Sequence, residues 1–142
     1  MTDIMEWSHC SAMFIRKVET DPAKVKAIIN AAELRLKYLE NAALNRDNIS
    51  FIVEGYYEAI KELLVALLLS HGLRSKNHQC LISYFYHTYT KYEAEAHLIS
   101  QMSYLRNRLD YYGEPIELEF YEKNKQEFGS IINLIKKLIK QK

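Results

Sequence analysis

The sequence contains little glycine, proline or cysteine. Four glycines and two prolines in 142 residues exclude collagen-like and low-complexity chains and disfavour loop-rich β folds. The two cysteines, Cys10 and Cys80, are too few for a disulfide framework, so we expect them to be reduced thiols. The first residues lack the basic segment of a signal peptide, and no apolar run approaches the ~20 residues of a membrane span. We therefore expect a cytoplasmic protein without membrane contact.

Charge of one sign is not in excess either. Nineteen Lys and Arg against eighteen Asp and Glu leave a formal charge of +1, which excludes a polycationic nucleic-acid coat. The last twenty residues still hold six lysines and one acid (Lys123, Lys125, Glu127, Lys136, Lys137, Lys140 and Lys142). Such a helix could face phosphate, but clustered lysines are typical of a solvated helix face.

Apolar residues recur at helical spacing through most of the chain. Asp21-Pro22 predicts the start of a helix, with a side-chain cap followed by proline at the first helical position. The stretch from Ile52 to Ser70 is the most apolar and is predicted to be the central helix, ending at His71-Gly72.

Three further helices are predicted after this central one. They cover Asn77–Tyr86, the segment from a capping box at Thr90–Glu93 to Gly113, and the segment from Leu118 onwards. No alternating strand pattern is visible. We therefore predict an all-α fold, an antiparallel up-and-down bundle of four to five helices. Residues 1–142 form one domain, in which residues 1–20 are an N-terminal extension or a short helix.

Metal and cofactor motifs are absent. His9, Cys10, His78 and Cys80 do not have the short ligand spacing of tetrahedral zinc sites. The sequence also has no phosphate-cradling glycine loop and no esterase turn. We expect neither a metal nor a cofactor.

An aromatic cluster lies just beyond the middle of the chain. Its members are Tyr84, Phe85, Tyr86, Tyr89 and Tyr92. Such rings can stack nucleic-acid bases, but base-stacking platforms usually lie in a basic groove, and only Lys91 is basic here. Helix packing or a subunit interface is the favoured interpretation.

Polar groups concentrate between Leu105 and Gly113, where the sequence reads LRNRLDYYG. Arg106 and Arg108 offer planar guanidinium groups suited to phosphate, and Asn107 can both donate and accept hydrogen bonds. A purely structural interpretation also stands, because Arg106 and Asp110 are one helical turn apart and can form an ion pair.

This segment resembles the polar motif of HEPN domains. Two further stretches are similar to the same family: the central helix from Tyr56 to Leu64 with His71-Gly72-Leu73, and the closing segment from Tyr111 through Asn124. The resemblance covers about Ala23 to the C-terminus. It implies a helical homodimer. Many members are metal-independent ribonucleases, often toxins paired with a minimal nucleotidyltransferase antitoxin.

The active motif of that family is an arginine, commonly an asparagine, four to six residues, and then a histidine. Arg106 and Asn107 match, but the histidine position holds Tyr111, and no histidine follows it. Tyrosine, with a pKa near 10, is ionised to only about one part in a thousand at pH 7. Loss of a positioned general base lowers the rate of catalysis ~10²–10⁴-fold. Phosphate binding by Arg106 does not require such a base.

We therefore expect a non-catalytic or weakly catalytic partner of a minimal nucleotidyltransferase, in a pair of the toxin–antitoxin type. It would bind RNA or a nucleotide and form a homodimer in which the Arg106–Tyr112 segments of both chains line a shared cleft. The expected binding residues are Arg106, Asn107, Arg108, Asp110 and Tyr112.

Two alternatives remain. The first is an active metal-independent endoribonuclease toxin with Arg106, Asn107 and Tyr111 as catalytic residues. His97 lies ~13 Å before Arg106 along the helix axis, so it could replace the missing histidine only from an antiparallel partner helix. The second alternative is a helical protein-interaction module without a ligand.

Overall fold

The structure, a computed structural model, describes residues 3–141, and the predicted all-α class is confirmed. Within this range there are six α-helices and one short two-stranded sheet. In chain order the elements are α1 (Trp7–Met13), β1 (Ile15–Lys17), α2 (Pro22–Asn41), α3 (Ile49–Ser70), β2 (Leu73–Ser75), α4 (His78–Thr88), a 3₁₀ turn (Thr90–Tyr92), α5 (Glu93–Tyr112) and α6 (Leu118–Lys140). Residues 1, 2 and 142 of the predicted single domain lie outside the described range.

Helix α3 lies at the centre of the core, as its composition predicts. It contacts α2, α4, α5 and α6, and its apolar side chains are buried around most of its circumference. Helix α2 runs antiparallel to it: Leu39 packs at Gly55, while Arg35, earlier in α2, pairs with Glu62, later in α3. Each neighbouring helix covers one side of α3 with an apolar stripe. A functional site must therefore lie on the surfaces that these contacts leave exposed.

Several predicted helix ends are confirmed. The Asp21 carboxylate accepts a hydrogen bond from the Lys24 N–H, with Pro22 as the first helical residue. Gly72 and Gly113, which follow α3 and α5, have φ angles of +74° and +66°. This left-handed conformation favours glycine because it carries no Cβ.

The predicted capping box at Thr90–Glu93 is wrong. Thr90 to Tyr92 form a 3₁₀ turn, and α5 begins at Glu93 without a side-chain cap. The Tyr92 N–H donates to the Tyr89 carbonyl, so the chain is already helical where the box requires an extended capping residue.

The sheet was not predicted from the sequence. Strands β1 and β2 pair antiparallel, with Ile15 opposite Ser75, Arg16 opposite Arg74 and Lys17 opposite Leu73. Strands of three residues are too short to show an alternating pattern. The pairing places the chain after α1 next to the chain after α3.

The expectation of reduced cysteines is also wrong. Cys10 on α1 and Cys80 on α4 form a disulfide, and both residues are fully buried. The two cysteines are 70 positions apart in the sequence, and no local pattern indicates that they pair. Only the packing of α1 against α4 brings them together. Trp7 reinforces this contact by stacking on His87 and packing edge-on against Tyr84.

Within the described range, every helix is too short or too polar to cross a lipid bilayer.

Candidate functional site

Arg106 lies in a charged cluster between α5 and α3. Its Nη2 lies 3.4 Å from Oε1 of Glu58, and its Nε lies 3.1 Å from Oδ2 of Asp110 and 4.0 Å from Oε2 of Glu54. Glu58 also pairs with Lys61 one turn along α3. With all groups ionised, three carboxylates face two cations. The cluster therefore carries one negative charge in excess.

The cluster is held by charge more than by directed hydrogen bonds. Oε1 of Glu58 and Nε of Arg106 are buried atoms whose neighbours do not meet hydrogen-bond geometry. Burial, and then a hydrogen bond and the charge of Asp110, raise the pKa of Glu54, while the charge of Arg106 lowers it. Three carboxyl groups thus share one guanidinium, and protonation of Glu54 relieves part of their repulsion. The predicted Arg106–Asp110 ion pair is confirmed as one part of this network.

Asn107, the next residue on α5, accepts a 3.4 Å hydrogen bond from Nη1 of Arg106 and also lines an open groove of about 950 Å³. The polar side chains that line the groove are those of Asp3, Gln79, His97, Ser100, Gln101, Ser103, Tyr104 and Asn107. Gln79, at the start of α4, donates a 2.7 Å hydrogen bond to the Ser103 hydroxyl. This bond fixes the α4 wall of the groove against α5.

His97 and Asn107 line the same groove, although they are ten residues apart. The ring of His97 packs edge-on against Tyr86 with centroids 5.3 Å apart. Its Nδ1 is buried and has no hydrogen-bond partner within residues 3–141. A buried polar atom of this kind is unfavourable unless a ligand or water satisfies it.

The other predicted binding residues lie at the C-terminal end of α5. Arg108 donates two hydrogen bonds to the Glu114 carboxylate and stacks on Tyr112, with its guanidinium carbon 4.4 Å from the ring centroid. Tyr111 and Tyr112 are largely exposed. Arg106 and Asn107 therefore meet through their side chains, whereas Tyr111 is exposed to solvent.

One histidine near Arg106 was not predicted as a site residue. His78 begins α4, and its ring lies close enough to Lys61, Glu58 and Arg106 for their charges to act on it. Burial and then the charge of Lys61 lower the pKa of His78, which leaves the imidazole neutral at pH 7. The residue that precedes it, Asn77, accepts a hydrogen bond from the Gln79 N–H, so His78 is held in the first turn of the helix. Nothing in its sequence spacing points to Arg106, because the two are 28 positions apart.

The described residues include no cluster of three or more His, Cys, Asp or Glu side chains arranged to hold a metal ion. Comparison of the chain with protein-family models, with curated proteins and with solved structures finds no match.

Proposed function

We propose that this chain is a HEPN-like helical protein that binds single-stranded RNA or a nucleotide in the groove along α5, with weak or no catalytic activity. In this proposal it is a cytoplasmic homodimer, and its partner is a minimal nucleotidyltransferase of the toxin–antitoxin type. The observation that carries the proposal is the groove itself, in which Asn107 lies with His97, Gln79 and Ser103.

The chemistry of the groove favours a nucleobase over a phosphate. Its lining contains the carboxylate of Asp3 and, among the described residues, neither lysine nor arginine. The amides of Asn107 and Gln79 can both donate and accept hydrogen bonds, as a base edge requires. Tyr104, 50% exposed, offers an aromatic face on which a base can stack. These features support recognition of an uncharged ring.

Weak catalysis follows from the position of Arg106. Stabilising the charge that develops on phosphorus requires a cation free to meet it. Arg106 instead contacts three carboxylates, and the cluster around it is negative overall. Tyr111, at the family's histidine position, is 74% exposed to solvent.

A second stripe on α5 supports the homodimer. Leu98, Leu105 and Tyr112 recur every seven residues and therefore lie on one side of the helix. Leu98 and Leu105 also line the groove, across it from Asn107. Each member of the apolar stripe is at least partly exposed. An antiparallel α5 from a second copy would cover this stripe and place the two grooves side by side as one shared cleft.

Binding to a labelled single-stranded RNA tests the proposal. We expect Asn107→Ala to weaken binding about tenfold, the ~1.4 kcal/mol of one lost hydrogen-bonding side chain. Asn30→Ala, at an exposed position on α2, is the matched control. Equal affinities for the wild-type protein and Asn107→Ala would contradict the proposal.

The dimer is tested by light scattering after size-exclusion chromatography. Tyr112→Glu places a charge in the proposed contact and should yield monomers. Tyr38→Glu alters an equally exposed tyrosine on α2 and should leave the dimer intact. Co-purification with a minimal nucleotidyltransferase encoded by the neighbouring gene tests the proposed partner.

A metal-independent endoribonuclease is the second candidate, and the position of His78 favours it. A neutral imidazole beside Arg106 and Lys61 could take the proton of a 2′-hydroxyl, as the missing histidine of the motif would. Cleavage of RNA in EDTA that is lost in both His78→Ala and Arg106→Ala would establish this activity. Absence of cleavage by the wild-type protein would eliminate it.

A further inference from the structure

The two-stranded sheet carries a concentration of positive charge. Arg16 and Lys17 on β1, and Arg74 on β2, are exposed, and so is Lys76 immediately after β2. All four lie within a few residues of the strand pairing that joins the two segments. The sequence does not reveal this patch, because its two halves are almost 60 positions apart.

The register of the sheet places two like charges opposite each other. Arg16 and Arg74 are direct cross-strand partners, and such like-charged pairs destabilise a sheet. Within residues 3–141, neither arginine has a carboxylate within ion-pair distance. The fold therefore maintains an uncompensated repulsion that a bound anion would remove.

A small cavity of about 200 Å³ adjoins the sheet. Lys24, Arg74, Ser75 and His78 supply its polar lining, and the described residues around it include no acid. The first turn of α4 begins at His78, so the positive end of that helix dipole adds to the potential of the cations. Cations from α2 and β2 and the N-terminal end of α4 thus meet at one cavity.

Consecutive residues at the start of α4 contribute to this cavity and to the α5 groove. His78 lines the cavity, and Gln79 lines the groove. A strand whose bases lie in the groove can therefore continue past the start of α4 towards the sheet. The sheet offers the phosphate contacts that the groove lacks.

We infer that Arg16, Arg74, Lys24 and His78 form a binding site for the phosphates of an RNA backbone whose bases lie in the α5 groove. This inference rests on the proposed RNA-binding function. In this arrangement the cations at the sheet contact phosphates and supply most of the electrostatic affinity. The side chains of α5 contact the bases and discriminate between them.

The salt dependence of binding to a single-stranded RNA of about 12 nucleotides tests this site. Each phosphate contact to a single strand contributes about −0.7 to the slope of log K against log salt concentration. Arg16→Ala/Arg74→Ala should therefore make the slope less negative by about 1.4 and weaken binding at low salt. Arg46→Ala, an exposed arginine in the α2–α3 connection, should change neither. An unchanged slope in the double variant would overturn the inference.

Further comparisons separate this result from failure of the proposed function. Asn107→Ala should weaken binding without changing the slope. If Asn107→Ala weakens RNA binding and the double variant does not, the proposed function stands and the phosphate site is refuted. If the wild-type protein binds no RNA, both are refuted. Competition by inorganic phosphate or a mononucleotide as strong as competition by the oligonucleotide would show a free-phosphate site and overturn the assignment to RNA. The melting temperature of the double variant should not fall, since the substitution removes a repulsion.

Discussion

The guanidinium of Arg106 lies 3.4 Å from the carboxylate of Glu58 and thereby joins α5 to α3. This contact explains why the most conspicuous basic residue of the motif does not face the open groove. Glu58 comes from the central helix, and its other partner is Lys61. Arg106 is thus part of the charge network between two helices, while its neighbour Asn107 faces the groove.

Arg106→Gln should destabilise the fold by about 1–2 kcal/mol at pH 7. Its removal leaves Glu54, Glu58 and Asp110 facing each other without their shared cation, and partial exposure keeps the cost below the ~3–5 kcal/mol of a fully buried pair. The loss should diminish towards pH 4 as Glu54, whose pKa is raised by burial and by Asp110, takes up a proton. Urea unfolding at both pH values measures this, with Arg46→Gln as the control. A variant as stable as the wild-type protein at pH 7 would show that the cluster contributes nothing.

Glu54→Gln should increase stability at pH 7. The pKa of Glu54 is raised above its ordinary value of 4.5, first by burial and then by Asp110. The stability from its protonated form is therefore fully present below pH 4.5 and is lost as the pH rises through the higher pKa of the folded state. Glutamine does not ionise, so Glu54→Gln should not lose this stability. The free energy of unfolding of the variant should therefore exceed that of the wild-type protein by more at pH 7 than at pH 4. Glu127→Gln on α6 is the control, and an advantage that grows as the pH falls would refute the assignment.

Reduction of the Cys10–Cys80 disulfide should lower the free energy of unfolding by roughly 4 kcal/mol, the chain-entropy value for a loop of about 70 residues. Unfolding in the presence and absence of a dithiol reductant measures this. Cys10→Ser/Cys80→Ser should match the reduced protein and be insensitive to the reductant. Thiol trapping in cells adds a test of the proposed cytoplasmic location, where such bonds are uncommon. Identical unfolding curves with and without reductant would contradict the prediction.

Two helical glycines should respond oppositely to alanine. A Cβ at Gly129 on α6 meets no atom within 4 Å, so Gly129→Ala should stabilise the protein by up to about 1 kcal/mol. A Cβ at Gly55 would lie 2.6 Å from Cδ2 of the buried Leu39. Gly55→Ala should therefore force α2 away from α3, and this cost should offset the stability gained from the higher helix propensity of alanine. Thermal unfolding of both variants measures the difference. A Gly55→Ala variant as stable as Gly129→Ala would show that the close approach of the two helices is not required.

The helices were predictable because their signals are local. Asp21-Pro22 and Gly113 mark helix ends within a few residues, and the apolar surroundings of α3 follow from its composition alone. The sheet and the disulfide depend on contacts across more than 55 positions, and no local pattern encodes them. At Thr90 the sequence offered a valid capping box, but the path of the chain after α4 placed the threonine inside a 3₁₀ turn instead.

The candidate site was predictable only in part. The pattern at Arg106 and Asn107 pointed to one segment of α5, and the two side chains are in contact. The pattern could not show that Arg106 also contacts a carboxylate on α3 or that Asn107 lines the groove. In the sequence, Glu54 and Glu58 are only two charged residues of the central helix, and His78 has no short-range partner that would indicate a site. Their approach to Arg106 is a property of packing, and none of the three has a sequence spacing that relates it to Arg106.

The most direct test of the account is a nuclear magnetic resonance titration of the protein with a short single-stranded RNA. We predict that backbone amide shifts concentrate in α5 between His97 and Asn107 and in the paired strands around Arg16 and Arg74. Shifts confined to the lysines of α6, or absent from α5 at saturating RNA, would contradict it.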